Sequence, residues 1–110
     1  MLKYIYIRTS FEGFHSYQEA PPNVEFLRNE HRHIFHVKVY IEVHHNNRDI
    51  EFISFKRFID SIINELDKPL GSCEMISDQL YRQISRYYPG RKVIIDVSED
   101  NENGSYIEYA

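Results

Sequence analysis

Residues 2–10, LKYIYIRTS, alternate: Leu2, Tyr4, Tyr6 and Arg8 fall on one side, Lys3, Ile5, Ile7 and Thr9 on the other. With their aromatic and β-branched content they predict a first strand. The period is then lost over FEGFHSYQEAPPNVEFLRNE, where Gly13 and Pro21-Pro22 break regular structure and predict a long loop. Period two returns from His33 to His44, with Val37, Val39, Ile41 and Val43 on one face and His36, Lys38, Tyr40 and Glu42 on the other. Asn46-Asn47-Arg48-Asp49 predicts a turn, and Ile50 and Phe52 a short strand tail.

At Ser54 the period changes to that of a helix. Phe55, Phe58, Ile59, Ile62, Ile63 and Leu66 form one stripe, with Ser54 as the expected N-cap and Pro69 as the stop. A second helix is expected from an N-cap at Ser72 to Pro89-Gly90, with Ile76, Leu80, Ile84 and Tyr87 inward. RKVIIDVSED and SYIEYA then predict two strands joined by the turn NENG. The order β-β-α-α-β-β implies an α+β fold, in which a four-stranded antiparallel sheet carries both helices on one face. The opposite face is half-polar and suits either the inside of an oligomeric barrel or a second packing interface.

A chain of 110 residues suits one domain over 1–110. Its 42% hydrophobic content, with nine Tyr and seven Phe, argues against disorder. The net charge of −4 comes from mixed acidic and basic residues, with no basic stripe for a phosphate backbone, so nucleic acid is not an expected partner. One cysteine, no opening signal-like segment and no apolar run near the roughly 20 residues of a membrane span lead us to expect a soluble, cytoplasmic protein with no membrane partner.

Five of the six histidines lie in HRHIFHVKVYIEVHH. His31 and His33, two apart on a strand, point to one side roughly 7 Å apart and can share a cation. His15, expected in the loop after the first strand, is the natural third ligand, and three neutral imidazoles with a vacant fourth position are a catalytic zinc set. The competing reading is an edge that merely happens to be rich in histidine. His36 has the opposite parity, and His44 and His45 fall at a solvated turn. His31 and His33 also share the parity of the buried valines, so they require either a bulge or a position beyond the covered part of the sheet.

FEGFH, HRHIFHVKVYIEV, RDIEFISFKRFI, GSCEMISDQL and VIIDVSED together resemble, in order and spacing, the 6-pyruvoyl tetrahydropterin synthase and 6-carboxytetrahydropterin synthase family. That family's pattern is FxxxH, HGH, a DF-x-x-LK helix start, PTxE and VxVxE. The resemblance implies a T-fold oligomerising through its sheets into a trimer or hexamer, with zinc on His15, His31 and His33 and Arg32 in place of the usual glycine. It also implies a pterin or purine-like small molecule as partner. Gly71-Ser72-Cys73-Glu74 corresponds to PTxE, and Glu99 to the glutamate that anchors the pterin's amino and ring N–H groups. A carboxylate suits that role because it accepts two parallel hydrogen bonds; Glu74 can equally be a first-turn acid complementing the helix dipole.

The pattern breaks at the acid/base groups. Leu27 stands where the family has its catalytic cysteine, and Leu66-Asp67-Lys68 replaces its Leu-Asp-His. Proton transfer would then fall to Asp67, Lys68 or Cys73, the last on the expectation that a helix N-terminus lowers a thiol pKa. Two functions stay open: a zinc-dependent lyase acting on a 7,8-dihydroneopterin triphosphate-like compound, and a non-catalytic protein that binds or sequesters a pterin, purine or nucleotide-like ligand. A structural metal site holding an oligomer is a third reading.

Overall fold

The computed structural model describes residues 1–110. Strands β1 (Lys3–His15) and β2 (His31–Val43) are followed by helices α1 (Phe52–Ile63) and α2 (Cys73–Tyr87), then by strands β3 (Val93–Glu99) and β4 (Asn103–Tyr109). The four strands form one antiparallel sheet in the order β1-β2-β3-β4. Both helices pack on one face, over a core of 19 buried residues that includes Phe35, Val37, Val39, Ile41, Phe55, Ile76 and Ile95. No helix is long and apolar enough to cross a membrane.

β1 runs five residues further than the sequence pattern suggests. The supposed loop residues Phe11 to His15 continue the ladder, in unbroken register from Lys3↔Val43 to His15↔His31. Their inward alternation through Phe11, Gly13 and His15 extends that of Ile5 and Ile7. Gly13, read as a breaker, is instead a packing site: a Cβ there would collide with the Leu70 side chain and come within 3.0 Å of the Phe35 ring. The connection to β2 contains a kinked 3-10 helix, Pro22–Arg28.

α1 begins earlier than its first serine. The Glu51 carboxylate accepts from the backbone N–H of Ile53 at 2.7 Å and of Ser54 at 3.0 Å, so Glu51 is the N-cap. Phe52 is therefore the first helical residue and no strand tail forms. The helix ends at Ile63, ahead of Pro69, and Leu66 packs into the core from the turn that follows. At α2 Ser72 caps as expected, accepting from the Met75 N–H at 3.2 Å. Ile76, Leu80 and Ile84 are buried, but Tyr87 faces outward at 69% exposure and lies against the Phe58 ring at its rim.

The β3–β4 turn is made by Asp100 and Asn101, at φ 53° and 60°, with the Glu102 N–H donating to the Glu99 carbonyl at 3.0 Å. Two left-handed residues are what a tight hairpin of this twist demands, and Asp and Asn tolerate that conformation. Gly104, expected in the turn, pairs with Ser98 inside β4. Because β3 pairs with β2 only from Phe35 onward, the His31 end of β2 and the His15 end of β1 project past β3 as a two-stranded ribbon. The molecule is correspondingly long, 51 × 25 × 23 Å.

Candidate metal centre

The ribbon end brings three histidines together. His15 and His31 are direct cross-strand partners, and His33 lies two residues along β2 on the same side. Their ring centroids are 4.6 Å (His15–His31), 5.1 Å (His15–His33) and 4.9 Å (His31–His33) apart. One nitrogen from each lies within 4.8 Å of the others. The parity problem is solved without a bulge: the rings occupy the helix-side face just beyond the buried Phe35, whose ring meets His15 and His33 edge-on at 5.4 and 5.9 Å. His15, expected in a loop, is the last residue of β1.

Each Nδ1 is already engaged. His15 Nδ1 is 3.0 Å from the Gly71 carbonyl, His31 Nδ1 2.8 Å from the Asn29 carbonyl, and His33 Nδ1 2.7 Å from Asp100 Oδ2. All three partners only accept, so Nδ1 is the donor in each ring, and in its neutral form each ring then presents an Nε2 lone pair. Outer partners of this kind orient metal-bound histidines. The His33 Nε2 is buried and has no hydrogen-bond partner. Glu99 adds two further acceptors, Oε1 at 3.3 Å from His15 Nε2 and Oε2 at 3.4 Å from His33 Nε2. Neutral imidazole lone pairs beside this carboxylate call for positive charge among them, either a proton on Nε2 or a cation, and three imidazoles next to a carboxylate are a donor set that suits a divalent cation.

The centre opens into a cleft of about 610 Å³, whose lining includes His15, His31, Leu27, Cys73, Glu74 and Glu99. Glu74 is exposed at the rim and Leu27 half-buried on the wall. Cys73 is buried, and its thiol is pushed up to about 11 by burial and by the negative charges of Glu99, Glu74 and Asp96. The α2 N-terminus therefore does not activate it: desolvation outweighs the dipole. Asp67 and Lys68 do not line this cleft. Both are exposed, and Asp67 borders a separate hollow of about 190 Å³ with Ile62, Gln79 and Arg82.

His36 falls on the opposite face of the sheet, paired with Ser10, and His44 and His45 are exposed beside Glu42 and Asp49. The sequence pattern missed Asp100 as a partner of the site, because its contact with His33 spans 67 positions. Its carboxyl is held below the usual range by the His33 hydrogen bond and then by the Ile34 backbone N–H. Asn29 and Gly71 act through backbone carbonyls, for which no side-chain signal exists. Compared with protein-family models and with curated proteins, the chain matches none.

Proposed function

We propose that this chain is a divergent zinc-dependent protein resembling 6-pyruvoyl tetrahydropterin synthase and 6-carboxytetrahydropterin synthase, acting on a 7,8-dihydroneopterin triphosphate-like pterin. The observation that carries the reading is the convergence of three imidazoles, each held through Nδ1 by an acceptor, beside a cleft that His15 and His31 line. His15, His31 and His33 hold the ion; zinc bound there supplies a Lewis acid for a hydroxyl or carbonyl oxygen of the ligand. Glu99 offers a carboxylate for paired N–H donors of an amino-pyrimidinone edge beside that ion. Leu27 and the neutral Cys73 thiol give the cleft an apolar wall, and Glu74 adds negative charge at its rim. In this reading the fold is a T-fold, and the copies associate through their sheets as a trimer or hexamer. In support, β1 and β4 are free edges and the outer face carries Tyr4, Tyr6, Lys38, Tyr40 and Tyr106.

A second reading, a non-catalytic T-fold protein that binds or sequesters a pterin or purine-like ligand, draws on a separate observation. Within the protomer Leu27 cannot move a proton, burial pushes the Cys73 thiol up rather than activating it, and Asp67 and Lys68 line no part of the cleft. Protein purified without an affinity tag should contain zinc, and His31→Ala should weaken zinc binding by more than the 10–100-fold typical of losing an outer partner. Incubation with 7,8-dihydroneopterin triphosphate distinguishes the readings: release of triphosphate identifies a lyase, and tight unreacted binding a binding protein. Neither turnover nor binding of pterins and guanine derivatives would overturn both.

A further inference from the structure

The geometry points to Asp100 as a positioning residue for the metal centre: it fixes the tautomer and orientation of His33, so that this histidine is presented to a cation as an Nε2 donor. The inference rests on the metal reading above and adds a residue that the motif pattern did not single out.

Asp100 is held in place from several directions. Its Oδ1 accepts from the Ile34 N–H at 2.9 Å, its own N–H donates to the Ile34 carbonyl at 2.7 Å, and its Oδ2 faces His33 Nδ1 at 2.7 Å. The backbone pair continues the β2–β3 ladder one step past Glu99, using the left-handed conformation at the head of the turn. The carboxylate is therefore anchored through Oδ1 while Oδ2 meets the imidazole. It is also the only ionised group among the three outer partners, since His15 and His31 are held by the neutral carbonyls of Gly71 and Asn29. A carboxylate on Nδ1 increases electron donation at Nε2 as well as setting the tautomer. The ring it controls is the one whose Nε2 is buried without a hydrogen-bond partner.

Consecutive residues thus face the two nitrogens of one imidazole. Asp100 lies at Nδ1 and Glu99 at Nε2, the latter at 3.4 Å. The hairpin tip that carries the cleft carboxylate also carries the support of a metal ligand, and one backbone segment sets both.

The test uses Asp100→Asn, Asp100→Gly and Asn101→Gly with the wild type. Asparagine tolerates the left-handed backbone and keeps one oxygen for the Ile34 N–H, but turns an amide N–H₂ toward His33 Nδ1. Nδ1 must then accept, which moves the ring proton to Nε2 and removes the lone pair. Glycine keeps the backbone conformation and removes both side-chain bonds. Zinc affinity is measured by competition with a chromophoric chelator, and the His33 tautomer by ¹⁵N–¹H NMR of the metal-free protein.

The expected result is a zinc Kd 10–100-fold weaker in both Asp100 variants. His33 should carry its proton on Nδ1 in the wild type and on Nε2 in Asp100→Asn, while Asn101→Gly keeps the wild-type affinity. A purely structural Asp100 would leave Asp100→Asn with the wild-type tautomer and affinity, and that outcome overturns the inference while leaving the metal reading intact. A wild type that binds no zinc overturns the metal reading itself. The tautomer, read without metal, still decides whether Asp100 controls His33.

Discussion

Gly13 faces His33 across the β1–β2 ladder, and its missing side chain is filled by Leu70 and Phe35, both buried. Gly13→Ala should therefore overpack the floor of the metal centre and cost about 1–3 kcal/mol in urea unfolding. An unchanged midpoint would mean that Leu70 can move aside freely. At the far end of the sheet Arg91 donates to Asp49 at 2.7 and 3.3 Å, and Asp49 also accepts from the His44 N–H. The Arg91 hydrogen bond, helped by that N–H, lowers the Asp49 carboxyl from 3.8 to about 2. A depressed folded-state value stabilises the protein above the unfolded pKa, and the benefit is lost as pH falls through the folded one. The stability gap between wild type and Asp49→Asn should be full above about pH 5 and close toward pH 2. A gap independent of pH over that range would refute the assignment. The residues that carry these effects were visible as letters in the sequence, but Leu70 and Phe35 beside Gly13, and Arg91 beside Asp49, were not legible as partners, because those contacts join distant parts of the chain.

At the scale of elements, periodicity located both helices and the cores of all four strands, while the boundaries followed hydrogen bonds that periodicity does not report. Ser72 was legible as a cap because serine there matches a local rule, and Ser72→Ala should cost about 1 kcal/mol of stability without moving the histidines. If chemical denaturation shows no loss, the cap bond to Met75 is replaced by water. Glu51 was not legible: a glutamate that folds back onto two N–H groups competes with the neighbouring serine for the same role, and only geometry decides. The extension of β1 to His15 was hidden for a related reason. A glycine in a strand reads as a break unless the side chains that need its empty space are known.

For the whole molecule, a metal that binds only the folded state stabilises it by mass action, about 2.7 kcal/mol when free zinc is 100 times Kd. Zinc should thus raise the thermal midpoint by on the order of 10 °C for a domain of this size, and a chelator should reverse the rise. In His33→Ala both responses should vanish. A midpoint insensitive to zinc in the wild type would mean that the three imidazoles do not hold the ion. The three imidazoles lie on the projecting β1–β2 ribbon, which is tied to the rest of the molecule through the Gly71 carbonyl and Asp100.

What the sequence determined by itself is the alternation and helical stripes that sort apolar from polar faces, and hence an α+β sheet with two helices on one side. It also put His31 and His33 on one face, since side-chain parity in a strand is a local property. Tertiary structure alone decided that His15 lies opposite His31, that Glu99 and Asp100 meet His33 from two sides, and that burial pushes the Cys73 thiol up. Those facts depend on register, burial and contacts between segments up to 67 positions apart, which no local pattern of residues encodes.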